Sequence, residues 1–420
     1  LNFHVEQLAQ AAQKAMAQGH WQEAESLWQQ VRRASPKHPQ ALASLGVHAF
    51  QRGNLKDALQ LLSEARLGAP TDIMILMSTA IVLRELGDLA GENRMLTAAL
   101  SIDPYFLPAL LATAQLVERT QGNRLSAPHY RNALKVAPTE QHWPAALRSQ
   151  LTHAKKTAAT YGSELLEHLK TALGGRIDRL TQVEAERWHE VGALLSGQGK
   201  SYPSVANQLQ IPRLPALPFF DRRLFPWVPE IESQTGAICM ELEALISNDF
   251  ASFEPYVAYE AGAPINQWQE LNHSKRWSSY FLWRNGTAQV NQTRCPKTCS
   301  ALEAVEMPWI GGLCPNAMFS ALAPHTHIPP HHGETNARLV VHLPLIVPEK
   351  CLFRVGFEQR IWRVGETLIF DDTIEHEARN DSDQLRVVLI FDTWNPLLSA
   401  SERELVVAIN QELVRFQDAT

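Results

Sequence analysis

The chain of 420 residues is 45% hydrophobic and 20% charged, with a formal net charge of -6, the make-up of an ordinary soluble protein of two or three domains. The acidic balance and the lack of a dense basic run argue against nucleic acid as the main partner. No apolar stretch approaches the length that crosses a bilayer, so no membrane span is expected. The first residues, Leu1-Asn-Phe-His-Val-Glu6, carry no basic and apolar leader, although without an initiator Met, processing or trimming can hide a preceding segment. Five cysteines (Cys239, Cys295, Cys299, Cys314, Cys351) are an odd count in a long chain, and the expectation is a reducing, cytoplasmic setting. Cys295 and Cys299 have no second pair to complete a zinc site.

The first third is periodic. Prolines fall at Pro36, Pro70, Pro104 and Pro138, a step of 34, and Gly19, Gly53 and Gly87 keep the same step, with Gly122 one residue late. Between them run amphipathic pairs such as Ala41 to Gln51 and Asn54 to Leu67. A helix–turn–helix unit of this length is the tetratricopeptide signature. Each glycine permits the turn between two helices and each proline ends the second of them. Residues 1–139 are therefore expected to form a helical solenoid, its fourth unit (Phe106 to Pro138) the loosest. Such stacks present a concave surface to a peptide or protein partner, or serve as a spacer. Residues 140–205 keep a helical pattern that Gly174-Gly175 is expected to break in two, and are read as a cap and linker. Pro203 and the run Ile211-Pro-Arg-Leu-Pro-Ala-Leu-Pro218 mark the domain boundary, with a further helix expected from Ile231 to Ala251.

From Trp277 onward the pattern changes to aromatic and β-branched runs punctuated by Gly, Pro, Asn and Asp. Eight strands are expected: 278–282, 316–323, 337–347, 352–355, 359–363, 367–370, 376–380 and 385–392. That count suits a jelly roll of two facing sheets, with its core at about 277–396 in a domain spanning 206–420, so the fold class is an α-helical solenoid followed by a double-stranded β-helix. The tail carries a capping-box pattern, Ser401-Glu-Arg-Glu404, ahead of a last helix.

Charged groups inside these strands carry the chemistry. The period of two puts Arg338, Val340 and His342 on one face of their strand and Leu339, Val341, Leu343 and Leu345 on the other. Arg386, Val388 and Ile390 likewise share a face. Basic groups in apolar strands are costly to bury unless something anionic meets them, either a ligand or an aspartate such as Asp371, Asp372 or Asp392. His331 and His376 stand 45 residues apart, and Arg386 follows His376 by ten. Two imidazoles, a distant guanidinium fork and open positions between them suit a non-haem Fe(II) site with an adjoining keto-acid pocket. Spacing alone does not choose among His325, His327, His331 and His332.

The motifs Trp277-Ser-Ser-Tyr-Phe-Leu-Trp283, Cys295-Pro-Lys-Thr-Cys299, Phe319-Ser320, Pro330-His331-His332-Gly333-Glu-Thr-Asn336, Arg338-Leu-Val-Val-His342-Leu343, Leu368-Ile-Phe-Asp-Asp-Thr-Ile-Glu-His376-Glu377 and Trp394-Asn-Pro396 occur in one order. Together they make the stretch from about Pro218 to Pro396 resemble the aspartyl/asparaginyl β-hydroxylase family of 2-oxoglutarate dioxygenases. The resemblance implies His331 and His376 as iron ligands and Ser320, His342 and Arg386 as the 2-oxoglutarate site. It implies Fe(II), 2-oxoglutarate and O2 as cofactors, with oxidative decarboxylation to succinate and CO2 coupled to hydroxylation of an unactivated C–H, commonly the β-carbon of Asp or Asn. The usual carboxylate ligand two residues after the first histidine is replaced by Gly333. The family's hydroxylases dispense with it, while iron halogenases use the same vacancy for a halide. Glu334 would alternate to the wrong face to replace it.

Trp283, Arg338 and Arg379 are the substrate contacts expected, each arginine having a plain salt bridge as its alternative. In animal members an arginine lies two residues before the motif histidine; here that place is Val340, with Arg338 the nearest replacement. The expected function is hydroxylation of a peptide or protein held partly by the repeats. The alternatives are a small-molecule or lipid hydroxylase, and a repeat scaffold whose oxygenase domain is degenerate.

Overall fold

A computed structural model describes residues 2–418. Contacts divide the chain at Gly199/Lys200 into a helical unit and a β-rich unit. The helical unit begins with four antiparallel pairs: α1 (Asn2–Ala17) with α2 (Trp21–Ala34), α3 (Pro39–Gln51) with α4 (Leu55–Gly68), α5 (Ile73–Glu85) with α6 (Leu89–Ile102), and α7 (Leu107–Gln121) with α8 (Asn123–Val136). The turn glycines 19, 53, 87 and 122 have φ between 75° and 85°, a region that side chains with a Cβ avoid. Each periodic proline lies two residues beyond the second helix of a pair. Small residues let the pairs close up: a Cβ on Gly46 would sit 2.9 Å from Leu62 Cγ. The fourth pair is as regular as the others, since Leu111, Ala114, Tyr130 and Ala133 pack with Leu151 and Ala154 in one core. Those last two belong to α9 (Arg148–Ile177).

That helix corrects the expected break at Gly174-Gly175, for it runs straight through both. Glycine costs a helix only about 1 kcal/mol relative to alanine. The interruption comes instead before α10 (Gln182–Ser196), where Thr181 and Glu184 form a capping box.

Among the described residues the β-rich unit holds eleven strands: β1 (Glu254–Pro255), β2 (Trp277–Arg284), β3 (Thr287–Ala288), β4 (Ala317–Leu322), β5 (Thr326–His331), β6 (Arg338–Ile346), β7 (Cys351–Val355), β8 (Glu358–Arg360), β9 (Leu368–Phe370), β10 (His376–Asn380) and β11 (Arg386–Trp394). They form an antiparallel seven-stranded sheet, β1-β2-β4-β11-β6-β9 with β3 beside β2, and a four-stranded sheet, β5-β10-β7-β8, an arrangement consistent with a jelly roll. On the outer face of the large sheet, Leu339, Val341, Leu343, Leu389 and Phe391 pack against Ile231, Ile238, Leu242 and Leu302. These come from α11 (Val228–Ser233), α12 (Thr235–Asp249) and α13 (Pro296–Glu303). Burying each such side chain stabilises by roughly 1.5–3 kcal/mol, so one face of each strand is fixed outward and the alternate face is left to the interior. The single helix expected from Ile231 is two, divided at Gln234. α14 (Ala400–Asp418) is capped by Ser399 and Glu402, whose backbone N–H groups each donate to the other's side chain, two residues ahead of the expected pair.

The boundary also differs from the expected residue 205. Residues 200–205, expected as the end of the linker, belong to the β-rich unit, where Val205 N donates to Thr373 O at 2.8 Å; the residues that follow hydrogen-bond to the motif loop between β5 and β6. Asn207 N donates to Gly333 O (2.9 Å), and Gln208 N and Leu209 N to Glu334 O (3.0 and 3.1 Å). Asn336 closes the clamp, accepting from Ile211 N at 2.7 Å and donating to Ile211 O at 2.9 Å. β5, which contains Pro329 and Pro330, is not among the expected strands. It is an edge strand paired only with β10, where missing N–H groups cost no ladder bonds.

Candidate functional site

The two sheets enclose a cavity of about 590 Å3. His331 ends β5 and His376 opens β10, and the two are paired across the small sheet, with an irregularity in register just after His376. Such bulges re-aim side chains. The imidazole centroids lie 4.0 Å apart with planes at 51°. Each Nδ1–H donates to a carbonyl two residues upstream, His331 to Pro329 O at 2.8 Å and His376 to Ile374 O at 3.1 Å. That fixes the tautomer and leaves each Nε2 with its lone pair. Burial lowers both pKa values, His331 to about 3 and His376 to about 4, so both rings are neutral bases at pH 7, the form that binds a metal. His332 also lines the cavity and makes the same kind of bond, Nδ1 to Thr373 O at 2.9 Å, but it is the His331 ring that meets His376. His325 and His327 pair with Asp383 and Glu377.

Deeper in the cavity are Ser320 on β4, His342 on β6 and Arg386 on β11. Arg386 is 1% exposed. One terminal nitrogen donates to Ser320 O at 3.3 Å, its guanidinium lies 4.8 Å over the Trp362 ring, and its Nε is buried without a partner. Among the described residues no carboxylate pairs with it, and burial draws its pKa down to about 10. His342 accepts from Trp362 Nε1–H at 3.2 Å through Nδ1, so its proton sits on Nε2. Burial and then Arg386 lower its pKa. Trp277 Nε1–H donates to Ser320 Oγ at 3.1 Å.

The aspartates expected as alternative partners for Arg386 are engaged elsewhere. Asp371 accepts from Thr373 N and Oγ1. Asp372 and Asp392 flank Arg338, at 2.7 and 3.3 Å, with Glu334 farther off at 3.9 Å. Arg338 is 4% exposed and these carboxylates hold its pKa up despite burial. Gly333 is required by the same cluster: a Cβ there would fall inside the Asp372 carboxylate, and Gly333 N donates to Asp372 O at 2.6 Å. The position two residues after His331 therefore has no room for a ligating side chain. Among the described residues, no group of three or more His, Cys, Asp or Glu is arranged to hold a metal ion.

Of the expected contacts, Arg338 lines the cavity, in the salt-bridged form of its two readings. Trp283 does not. A register irregularity between Phe281 and Trp283 places it in the outer core with Leu282. Arg379 is half exposed beside Asp381, 3.4 Å away, and is not part of the cavity wall. The pairing of Arg338 with Asp372 and Asp392 is the aspartate alternative of the sequence reading. Trp362 and Trp268 were not expected, and nothing in the spacing marked them.

Comparisons with known proteins bear on this site. The family model described as aspartyl/asparaginyl beta-hydroxylase matches residues 232–396, and a tetratricopeptide repeat model matches residues 10–72. The chain is 31% identical over 242 residues to an aspartyl/asparaginyl beta-hydroxylase of Mus musculus, covering 56% of this chain and 31% of that protein. It is 36% identical over 188 residues to an ornithine lipid ester-linked acyl 2-hydroxylase of Rhizobium tropici, covering 43% and 62%. It is 31% identical over 232 residues to aspartate beta-hydroxylase domain-containing protein 2 of Homo sapiens, covering 52% and 60%. The chain thus spans less than two thirds of the length of each of these relatives. The match to the aspartyl/asparaginyl beta-hydroxylase model thus falls in the β-rich unit, and the match to the tetratricopeptide repeat model in the helices that precede it.

Proposed function

We propose that the β-rich unit is an Fe(II)- and 2-oxoglutarate-dependent dioxygenase that hydroxylates an unactivated C–H. The observation that carries this reading is Arg386, a buried guanidinium without a counter-charge at the inner end of a cavity whose opposite wall bears two neutral histidines. An isolated buried cation costs several kcal/mol, and a dicarboxylate reaching from the histidine pair to Arg386 offsets that cost.

His331 and His376 would hold the iron, since their Nε2 lone pairs are free of protons and their Nδ1–H bonds fix the ring orientation. Iron bound there, with 2-oxoglutarate and O2, supplies the oxidative decarboxylation to succinate and CO2 and the insertion of oxygen into the substrate C–H. The protein binds, orients and excludes water. Arg386 and His342 Nε2–H provide donors for the cosubstrate, and Ser320 Oγ, fixed by Trp277, lies on the same wall. Trp268 and Trp277 flank His331, with centroids 5.1 and 6.2 Å from its ring, and shield it from solvent.

The relatives are named for aspartyl or asparaginyl residues and for a lipid acyl chain, so the reaction class is shared more widely than the substrate. For this chain the repeats favour a peptide or protein partner recruited for modification. The expected Asp or Asn β-carbon meets a difficulty in its acidic form: Val340 offers no charge, and Arg338 is already neutralised by Asp372 and Asp392. The first experiment is conversion of 2-oxoglutarate to succinate by the full chain with Fe(II). Turnover in the native chain and its loss in Arg386→Ala support the reading; no turnover and no 2-oxoglutarate binding would leave a repeat scaffold. A chain beginning at Lys200, assayed on the identified substrate, tests recruitment: unchanged kcat/KM removes the repeats from substrate recognition.

A further inference from the structure

The substrate end of the cavity has a composition that the reaction class does not require. Once Arg386 is assigned to the cosubstrate, the remaining buried guanidinium is Arg338, and it faces both Asp372 and Asp392. Glu334 is left over. Its carboxylate makes no hydrogen bond among the described residues, and its nearest cation is Arg338, 3.9 Å away. Asp372, 94% buried by its 6% exposure, keeps one carboxylate oxygen without a donor. Arg284, also on the wall, is solvent-exposed with its guanidinium over the Phe281 ring at 4.9 Å.

Facing these acids is an aromatic wall. Tyr256 stacks on Trp277 with centroids 4.1 Å apart, and Trp268 lies 6.0 Å from Trp277. Tyr259 joins them at the rim. The Tyr256 phenol lies in the field of Glu334, Asp372 and Asp392, so rings and carboxylates border one space. Aromatic faces carry negative potential and attract a cation within about 6 Å of the ring centre. A carboxylate without a partner attracts the same group and repels an acidic one.

We propose that the substrate presents a cationic nitrogen, an ammonium or guanidinium, to Glu334 and the Tyr256–Trp277 wall, which would hold a neighbouring C–H for hydroxylation. This rests on the hydroxylase reading for the use of the cavity. It assigns Glu334 as a substrate-binding residue and replaces an acidic side chain with a basic one as the group recognised.

The test is calorimetric binding to the full chain of two probe series, with and without 2-oxoglutarate. One is the capped peptide Ala-Ala-X-Ala-Ala with X as Lys, Gln or Glu. The other is hexylammonium, hexanamide and hexanoate. The expected order in at least one series is cation, then amide, then carboxylate, with roughly tenfold between the first two, the worth of one charge-assisted hydrogen bond. Glu334→Gln should erase the cation's advantage and leave 2-oxoglutarate affinity unchanged. A preference in the peptides alone identifies a basic side chain as the source, and one in the alkyl series alone identifies a small amine or an amine headgroup. Equal or tighter binding of the carboxylates in both series, or a cation preference that survives Glu334→Gln, overturns the proposal. Should that variant fail to fold, the order in the native protein alone decides. Failure of 2-oxoglutarate to bind would strike the parent reading separately.

Discussion

The two units of this chain handle buried polarity differently. In the helical unit it is scattered and mostly matched within a helix or by the neighbouring repeat: Thr79 Oγ1 donates to Ile75 O at 2.7 Å, Ser126 Oγ to Asn123 O at 3.1 Å, and Glu92 accepts two bonds from Arg119 at 2.8 and 2.7 Å, while His48 Nε2 is buried without a partner. The β-rich unit instead gathers Arg338, His342, Asp372, His376, Arg386 and Asp392 around one space. Atoms of Arg338, Asp372 and Arg386 there lack partners. A fold tolerates such groups where a ligand completes them, and the local rules are broken where function sits. The repeats are therefore legible as a structure, and the cavity as a structure that is incomplete alone.

Mutations sharpen that contrast. The largest effect is expected from His331→Ala or His376→Ala, each abolishing 2-oxoglutarate turnover, while His332→Ala retains bound metal by elemental analysis. If His332→Ala loses the metal and His331→Ala keeps it, the pair is wrongly chosen. Arg338→Ala leaves Asp372 and Asp392 buried without their cation and should lower unfolding free energy by about 3–5 kcal/mol in urea titration. Arg386→Ala should weaken 2-oxoglutarate binding by about 2–5 kcal/mol. The apolar replacement Arg386→Met should leave the cofactor-free protein as stable as the native chain or more so, because it removes an uncompensated charge. Gly333→Ala forces its Cβ against Asp372 and should cost about 1–3 kcal/mol, read as a lowered melting temperature. Gly53→Ala, at φ 80°, should cost about 1 kcal/mol in the repeats and leave metal and 2-oxoglutarate binding untouched. A loss of cosubstrate affinity in Gly53→Ala would show that the two units do not divide their roles as described.

What could be read beforehand follows the same division. The step of 34 located every helix pair because each repeat is held by neighbours close in sequence. Strand parity separated Arg338 and His342 from Leu339 and Leu343 because one face of β6 had to meet the outer helices. Most of the failures are long-range. Glycines 174 and 175 punctuate a sequence without breaking the helix, because each costs it only about 1 kcal/mol. Trp283 changed face at an irregularity that no spacing announces. Residues 200–205 looked like the end of a linker, yet Val205 N bonds to Thr373 O, and the backbone just after them clamps the loop that carries Gly333. Trp362 meets His342 and Arg386 only through packing that no spacing announces.

The central claim is that the histidine pair and Arg386 form one site completed by metal and cosubstrate. Anaerobic calorimetric titration of 2-oxoglutarate into the full chain, with and without Fe(II), measures it directly. One 2-oxoglutarate per chain is expected, bound tightly only with Fe(II), and weakened in Arg386→Ala while that variant still takes up iron. Equal 2-oxoglutarate affinity in Arg386→Ala and the native chain, or no binding in either, would contradict it.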